Sequence, residues 1–325
     1  MSLLDFPYFA KISCFFSGIK YSAIVQKIFS WLLCLMTTVA KKPANIRIII
    51  NSPNIFYTFD SSNYMKEMKK LILSALMAAV LCLNLQAWGS LGHKTVIAVA
   101  QRHLTEKTKA NISRYFDYDL KRDAVWMDQH RKDEPIAYTT SWHVYNVDEN
   151  HNYDPNPRLE KGDAIHALQI ADYNLSHYKE LSDSAVVMNV RMLIHFVGDM
   201  HCPVHSYFPG PRNFWYCKLN GEEYKTFHGL YDGMPALLWP GADPDELAAQ
   251  LDNCNACQRR KIAGGTLYDW AKACGDRNAY IYEINAPLTE DLDPDTVEKS
   301  REVVSLQLRD AGYRLAVLLN KYFGK

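Results

Sequence analysis

The chain has 325 residues, of which 48% are hydrophobic and 22% are charged, and its 36 basic and 36 acidic side chains balance to zero. This composition excludes a disordered chain and fits one or two globular domains. The balance conceals an uneven distribution, because residues 1–87 hold nine Lys and Arg against three Asp and Glu. The rest of the chain therefore has a net charge of −6, and it contains all eleven histidines.

The boundary at residue 87 has the pattern of a secretory signal peptide. Met68-Lys69-Lys70 is basic, residues 71–87 carry no charge, and the small residue Ala87 precedes Trp88-Gly89-Ser90. We expect residues 65–87 to be a cleavable signal peptide and the mature chain to be secreted or periplasmic. A signal anchor, a buried helix or a lipoprotein cut before Cys82 are alternatives. A run of 17 uncharged residues is shorter than the roughly 20 needed to span a membrane.

Residues 1–64 lie upstream of this signal. Their apolar run Ile28–Ala40 has 13 residues, which is too short for a transmembrane helix. We interpret residues 1–64 as an over-extended start that is not part of the fold, with translation beginning at Met65 or Met68. A membrane-anchoring extension is the alternative.

Helical periodicity dominates residues 88–325. Apolar residues recur at helical spacing in the predicted helices Thr95–Leu104, Asp163–Tyr178, Asp183–His201, Leu247–Leu251, Thr266–Ala273 and Val303–Tyr322. Loops are predicted over residues 148–158, 208–213 and 240–244. Because no segment shows the alternation of a strand, we expect an all-α, single mainly helical domain over residues 88–325. Its five cysteines allow two disulfides, with a local bridge favoured between Cys254 and Cys257.

The strongest chemical signal is a group of metal-binding residue types near residue 200. His195 and Asp199 are four apart on a predicted helix, so both project from one face. Pro203 ends that helix and lets His205 turn toward the same region. His228 and Asp232 repeat the spacing. A single pair would more often be an ordinary helix surface, whereas two pairs with an intervening His favour a metal site.

Further candidate ligands come from upstream. Asp128 follows Trp126, with Arg131 almost one helical turn later, and His143 lies in an aromatic stretch. His93 comes five residues after the expected cut, where Trp88 would gain a free α-amino group. That amine and the Trp88 carbonyl oxygen can chelate a cation, and this mixture of nitrogen and oxygen donors suits zinc.

These motifs together resemble the zinc-dependent single-strand nucleases of the S1/P1 type, a family related to zinc-dependent phospholipase C. The shared features are an N-terminal Trp in a WGxxGH start, a WxDxxR segment, a His in an aromatic run, an HFxGDxHxPxH helix and an HxxxD pair. All occur here in order over residues 88–232. The resemblance implies three zinc ions, held by Asp128, His143, His195 and Asp199; by His205, His228 and Asp232; and by Trp88, His93 and a bridging Asp199.

The resemblance also implies roles for individual residues. Asp128 would orient the attacking water and Arg131 would neutralise phosphoryl charge, with cleavage of the 3′ O–P bond leaving a 5′-phosphate. Asn146 stands where the family contacts the base. The family commonly has Gln at Cys202 and Trp at Tyr231, and its Gly-Gly-Asn loop is replaced here by residues 209–215. Val144 stands where an aromatic residue stacks in the family.

We therefore expect a zinc-dependent endonuclease and 3′-nucleotidase that acts on RNA and single-stranded DNA. Its acidic mature chain lacks the basic stripe of duplex-binding proteins. We expect a monomer without a stable protein partner or a membrane attachment. Two alternatives remain open. One is a phospholipase C-type lipid phosphodiesterase, and the other is a non-catalytic zinc-binding protein of the cell envelope.

Overall fold

The structure is a computed structural model that describes residues 88–155, 162–209, 217–224, 226–284 and 291–325. The predicted upstream extension, the signal peptide and most of the 209–215 loop lie outside these residues. The α-helices are α1 Ser90–Gln101, α2 Glu106–Ile112, α3 Trp126–His130, α4 Ala164–Ser176, α5 Asp183–His201, α6 Phe227–Leu238, α7 Pro244–Leu251, α8 Ala256–Ala263, α9 Leu267–Ile284 and α10 Pro294–Phe323. Short 3-10 turns occupy Leu120–Asp123, Ala137–His143, Tyr178–Glu180 and Pro203–His205.

Helix α5 is the central element of the fold. The Ser182 side chain caps its first turn by accepting a hydrogen bond from the Ala185 N–H, and its C-terminal half is buried on every face. A helix that is buried all round must be enclosed by other elements, and α4 and α10 pack along it. The helix ends at His201, because Cys202 is extended before Pro203.

Helix α10 packs against α1 at very short range. A Cβ atom placed on Gly312 of α10 would lie 2.4 Å from the Cβ and Cγ1 atoms of Val99 on α1. Glycine therefore sets how closely these two helices approach. Helix α1 begins two residues after Trp88, so this contact fixes the position of Trp88 relative to the core.

The prediction of a mainly helical single domain is confirmed, but four short strands were missed. Strands β1 Tyr145–Asn146 and β2 Ser206–Tyr207 pair in parallel, and β3 Cys217–Leu219 and β4 Glu222–Tyr224 pair antiparallel. Strands of two or three residues are too short to show the two-residue period from which strands are read. The β1–β2 pair matters for the site, because β1 follows His143 and β2 follows His205.

Several helix boundaries also differ from the prediction. Helix α1 begins at Ser90 and so includes His93, while α9 continues to Ile284 and α10 begins at Pro294. The added first turn of α10 is polar, and Asp293 caps it by accepting from the Thr296 N–H. Apolar periodicity does not detect turns that are stabilised by capping.

The predicted Cys254–Cys257 disulfide is wrong, because all five cysteines of the mature chain are free thiols. The two residues lie on either side of Asn255, whose side chain caps α8 by accepting from the Cys257 and Gln258 N–H groups. Cys257 is thus already in the helix, while Cys254 Sγ contacts Asn253. None of the helices among the described residues has the length and hydrophobicity needed to cross a membrane.

Replacing Gly312 with Ala should lower the free energy of unfolding by about 1–3 kcal/mol, because the new methyl group overlaps Val99 and forces α1 and α10 apart. Chemical denaturation followed by circular dichroism measures the change. Gly233→Ala on α6 is the matched control, since its Cβ would meet only a Leu237 atom at 4.0 Å. Equal stability of the two variants would show that the helix contact can relax.

Candidate metal centre

His195 and Asp199 are completely buried on α5 and face each other. His195 Nε2 lies 3.2 Å from Asp199 Oδ2, as the four-residue spacing predicted. The other ring nitrogen, Nδ1, lies 2.9 Å from the carbonyl oxygen of Ala124. That contact orients the ring and leaves Nε2 as the nitrogen that points into the site.

Asp128 reaches the same point from the short helix α3. Arg191, one turn before His195 on α5, pairs with Asp123 at 2.8 Å just ahead of α3. The Arg191 guanidinium also lies 4.3 Å from the ring centroid of Trp126, the first residue of α3. These two contacts hold α3 against α5, so that the Asp128 carboxylate is buried beside His195.

Four side chains form a first group with the dimensions of a zinc site. His143 Nδ1 lies 2.9 Å from Asp199 Oδ2, 3.2 Å from His195 Nε2 and 3.4 Å from Asp128 Oδ1. The His195–Asp128 separation is 3.7 Å and the His195–Asp199 separation is 3.2 Å. A tetrahedron with edges of about 3.3 Å has its centre about 2.0 Å from each corner, the length of zinc–nitrogen and zinc–oxygen bonds.

Asp199 is shared between this group and its neighbours. Its Oδ2 atom faces His143 and His195, whereas Oδ1 lies 3.5 Å from His93 Nε2 and 3.4 Å from His205 Nδ1. The His93 ring stacks on His195 with centroids 4.2 Å apart. One carboxylate therefore faces four imidazoles, the position that the sequence assigned to a bridging ligand.

A second group follows on the far side of His205. His205 Nε2 lies 3.3 Å from Asp232 Oδ1, and His228 Nε2 lies 3.4 Å from Asp232 Oδ2. His205 lies on the 3-10 turn after α5. His228 and Asp232 lie on α6, which is capped by Thr226. His205 is buried and His228 is half-buried, so the second group lies closer to solvent.

Trp88 is packed against this second group. Its side chain is completely buried, and the next residue, Gly89, donates from its N–H to the backbone oxygen of Asp232 at 2.7 Å. A Cβ on Gly92 would lie 3.1–3.3 Å from Trp88 side-chain atoms, so the glycine makes room for the indole. The backbone N–H groups of Val204 and Trp88 both face the sulfur of Cys202. Trp88 therefore lies within the centre, close to Asp232.

Unpaired polar atoms mark this region as a ligand site. Both ring nitrogens of His93 and His205 and both carboxylate oxygens of Asp128 are buried without a hydrogen-bond partner among the described residues. Asp199 Oδ1 and His143 Nε2 are also buried without a hydrogen-bond partner among these residues. Buried polar atoms are normally hydrogen-bonded, so a concentration of exceptions needs an explanation. Bound cations would satisfy these atoms, and the donor set fits zinc.

The electrostatics of the centre show how strongly its groups interact. Burial lowers the pKa of His195, but the carboxylates of Asp199 and Asp128 outweigh burial and raise the pKa to about 9. Asp199 likewise outweighs burial at His205 and raises its pKa to about 10. Burial would raise the pKa of Asp199, yet the imidazoles of His195 and His205 hold it well below its usual range.

Arg131 and Asn146 are the two other residues that were predicted for the site. Burial lowers the pKa of His228, and the charge of Arg131 acts in the same direction, which places this guanidinium near the second group. Asn146 is buried on β1, opposite Tyr207 of β2, and its Nδ2 makes no hydrogen bond among the described residues.

Sequence reasoning assigned no role to Cys202, which the structure places in the centre. The residue is completely buried, and its Sγ lies 4.0 Å from Asp232 Oδ1. The available signal was its position three residues before His205.

A family model described as S1/P1 Nuclease matches residues 88–324. Nuclease PA3 of a Penicillium species and Nuclease P1 of Penicillium citrinum are each 27% identical to this chain over 287 residues, covering 73% of this chain and 98% of the relative. Endonuclease 4 of Arabidopsis thaliana is 25% identical over 291 residues, covering 78% of this chain and 93% of the relative.

Replacing Gly198 with Ala should disturb the centre without removing a ligand. A Cβ on Gly198 would lie 2.6 Å from His93 Nδ1 and 3.0 Å from its Cε1 atom, so the imidazole must move away from Asp199. We expect the variant to bind about one divalent cation fewer per chain, since misplaced ligands cost roughly 10–100-fold in metal affinity. Elemental analysis after dialysis measures the content, with Gly233→Ala as control. An unchanged metal content would show that His93 is not a ligand.

Metal binding to the metal-free chain at pH 7 should release at least about two protons, because metal ligation requires neutral imidazoles. The raised pKa values of His195, about 9, and His205, about 10, mean that both rings are protonated at pH 7. Metal affinity should accordingly rise with pH until these pKa values are passed. Calorimetric titration in two buffers of different ionisation enthalpy counts the protons. A binding enthalpy that does not depend on the buffer would contradict the prediction.

Proposed function

Because the chain belongs to the S1/P1 nuclease family, we propose that it is a zinc-dependent phosphodiesterase acting on RNA, single-stranded DNA and 3′-nucleotides. It cuts the 3′ O–P bond and leaves a 5′-phosphate. The family and the named relatives support a nuclease, while the substrate, the bond and the metal are our proposal. The observation that carries it is the first group, whose ligand atoms lie 2.9–3.7 Å apart.

Three zinc ions would use the ligands that the sequence predicted. The first group would hold one ion, His205, His228 and Asp232 a second, and Trp88 with His93 and Asp199 a third. Zinc at such sites supplies Lewis-acid stabilisation of phosphoryl charge and lowers the pKa of bound water toward 7. Trp88 qualifies as a ligand only after cleavage behind Ala87, so we also propose export with a cleaved signal peptide, residues 65–87, and a catalytic domain over residues 88–325.

Asp128 has the position to orient the attacking water. Its Oδ1 atom faces His143 and His195 at 3.4 and 3.7 Å. Its Oδ2 atom makes no hydrogen bond among the described residues and is left to accept one from water. A carboxylate fixed in this way aims the oxygen at phosphorus and holds the proton that leaves it.

Arg131 and Asn146 would bind the substrate on either side of the reacting phosphate. The Arg131 guanidinium carries the positive charge near the half-buried His228 and would donate to the non-bridging phosphoryl oxygens. Asn146 Nδ2 would donate to a ring acceptor of the base. Substitution of Arg131 should lower kcat, whereas substitution of Asn146 should mainly change KM and base preference.

The acidic mature chain supports short or single-stranded substrates over duplex. A net charge of −6 leaves no excess of basic side chains to follow a duplex backbone. Three divalent ions would balance that charge at the centre itself. We propose a monomer that holds its substrate at the metals.

Replacing Asp128 with Asn should reduce hydrolysis by at least about 100-fold, because the amide cannot accept the proton of the attacking water. Purified chain beginning at Trp88 is assayed on single-stranded DNA, RNA, a 3′-nucleotide and phosphatidylcholine, with and without a chelator. We expect chelator-sensitive release of 5′-phosphates from the nucleic acids and retention of most zinc by Asp128→Asn.

The other outcomes separate the alternative functions. Cleavage of phosphatidylcholine alone would identify a lipid phosphodiesterase, and zinc binding without hydrolysis would identify a zinc-binding protein. Loss of zinc in step with activity in Asp128→Asn would refute the role of Asp128 as the residue that orients water. Asp133→Asn, which changes an exposed carboxylate outside the groups, is the matched control.

A further inference from the structure

Cys202 lies where two parts of the metal centre meet. It is the C-cap residue of α5, and no part of its side chain is exposed. Its sulfur lies 4.0 Å from Asp232 Oδ1 and faces the backbone N–H groups of Val204 and Trp88. The thiol therefore lies between a carboxylate of the second group and the residue whose nitrogen becomes the mature N-terminus.

The distances are those of a ligand set. Cys202 Sγ, a ring nitrogen of His205 and a carboxylate oxygen of Asp232 all lie within 4.8 Å of one another. A tetrahedral zinc ion with bonds of about 2.3 Å to sulfur and about 2.0 Å to oxygen separates the two ligand atoms by about 3.5 Å. The observed sulfur–oxygen distance of 4.0 Å needs only a small side-chain rotation to meet this value, and it is long for a thiol hydrogen bond.

His205 provides an independent sign that an ion belongs here. Its side chain is 1% exposed, and neither ring nitrogen makes a hydrogen bond within the described ranges. Nε2 faces Asp232 Oδ1, the same oxygen that faces the sulfur. An imidazole, a carboxylate and a thiol that converge, with both imidazole nitrogens left without a hydrogen bond, can share one cation.

The other buried thiols of the mature chain have different surroundings. Cys274 Sγ contacts Gln307 and Arg314, and Cys217 lies on β3. Neither belongs to a cluster of metal-ligand atoms among the described residues. The placement of Cys202 is therefore specific to that position and does not follow from burial of cysteine in general.

We propose that Cys202 is a metal ligand of the second group, a role that rests on the metal centre proposed above. On binding, the thiol releases its proton to solvent and the thiolate coordinates the ion beside His205 and Asp232. A thiolate is a softer donor than the oxygen and nitrogen atoms of the other ligands, so this site favours zinc and cadmium over harder divalent ions.

The test reads the metal–sulfur bond directly. Mature chain with a free Trp88 amine is loaded with Co²⁺, and the thiolate-to-cobalt charge-transfer absorption is recorded in the near ultraviolet. A background carrying Cys254→Ser and Cys257→Ser removes the two thiols that reach solvent. We expect the band in this background and in the added control Cys217→Ser. We expect its loss in Cys202→Ser and Cys202→Gln.

Cobalt content and hydrolysis distinguish the possible failures. Cys202→Gln introduces the residue that the related nucleases commonly have, so it should fold and still bind cobalt while losing the band. If the background protein binds cobalt and hydrolyses substrate but shows no band, or if the band persists in Cys202→Ser, then Cys202 is not a ligand. Neither result would contradict the proposed metal centre. A chain that binds no cobalt and hydrolyses nothing would refute both.

Discussion

The structure depends on how one buried carboxylate, that of Asp199, is neutralised. The residue has no exposed surface, and burying an isolated carboxylate in this way would lower the free energy of unfolding by several kcal/mol. Its two oxygens face four imidazoles, on different sides, at 2.9–3.5 Å. Each imidazole comes from a different part of the chain, so satisfying Asp199 requires α1, the 137–143 turn, α5 and the 203–205 turn to meet at one point. The charge of Asp199 can therefore be buried only when these four parts of the chain assemble into the centre.

The packing around α5 makes that meeting possible. Gly198 leaves space for the His93 ring, Gly312 lets α10 approach α1, and Gly92 admits the Trp88 indole. On the opposite side, the Asn278 side chain donates to Ser206 Oγ, which donates to the Tyr145 hydroxyl, and that hydroxyl reaches the Met200 carbonyl oxygen. This buried chain of hydrogen bonds ties β1 and β2 to the end of α5. It keeps His143 and His205 in place without using either imidazole.

In the proposed enzyme the buried and exposed parts of the centre have different tasks. His195, Asp199 and His93 are sealed from solvent and would hold metal, whereas the half-buried His228 and Arg131 lie closer to solvent and would meet the substrate. The inferred Cys202 ligand lies between these zones and next to Trp88. Export and catalysis would then be linked through a single contact, because cleavage behind Ala87 changes the nitrogen that lies beside this sulfur.

The sequence by itself determined the elements with a strong period and the residues whose geometry is local. Helix α5 was predicted with its observed ends, and the pairs His195–Asp199 and His228–Asp232 meet because residues four apart on a helix share a face. Capped polar turns and two-residue strands were missed, since neither shows a period. Only the tertiary structure decided that Asp199 divides its oxygens between two sets of imidazoles and that Cys202 faces Asp232, 30 residues away. It also leaves Cys254 and Cys257 as free thiols. These outcomes depend on the packing of distant segments, and local spacing carries no information about such distances.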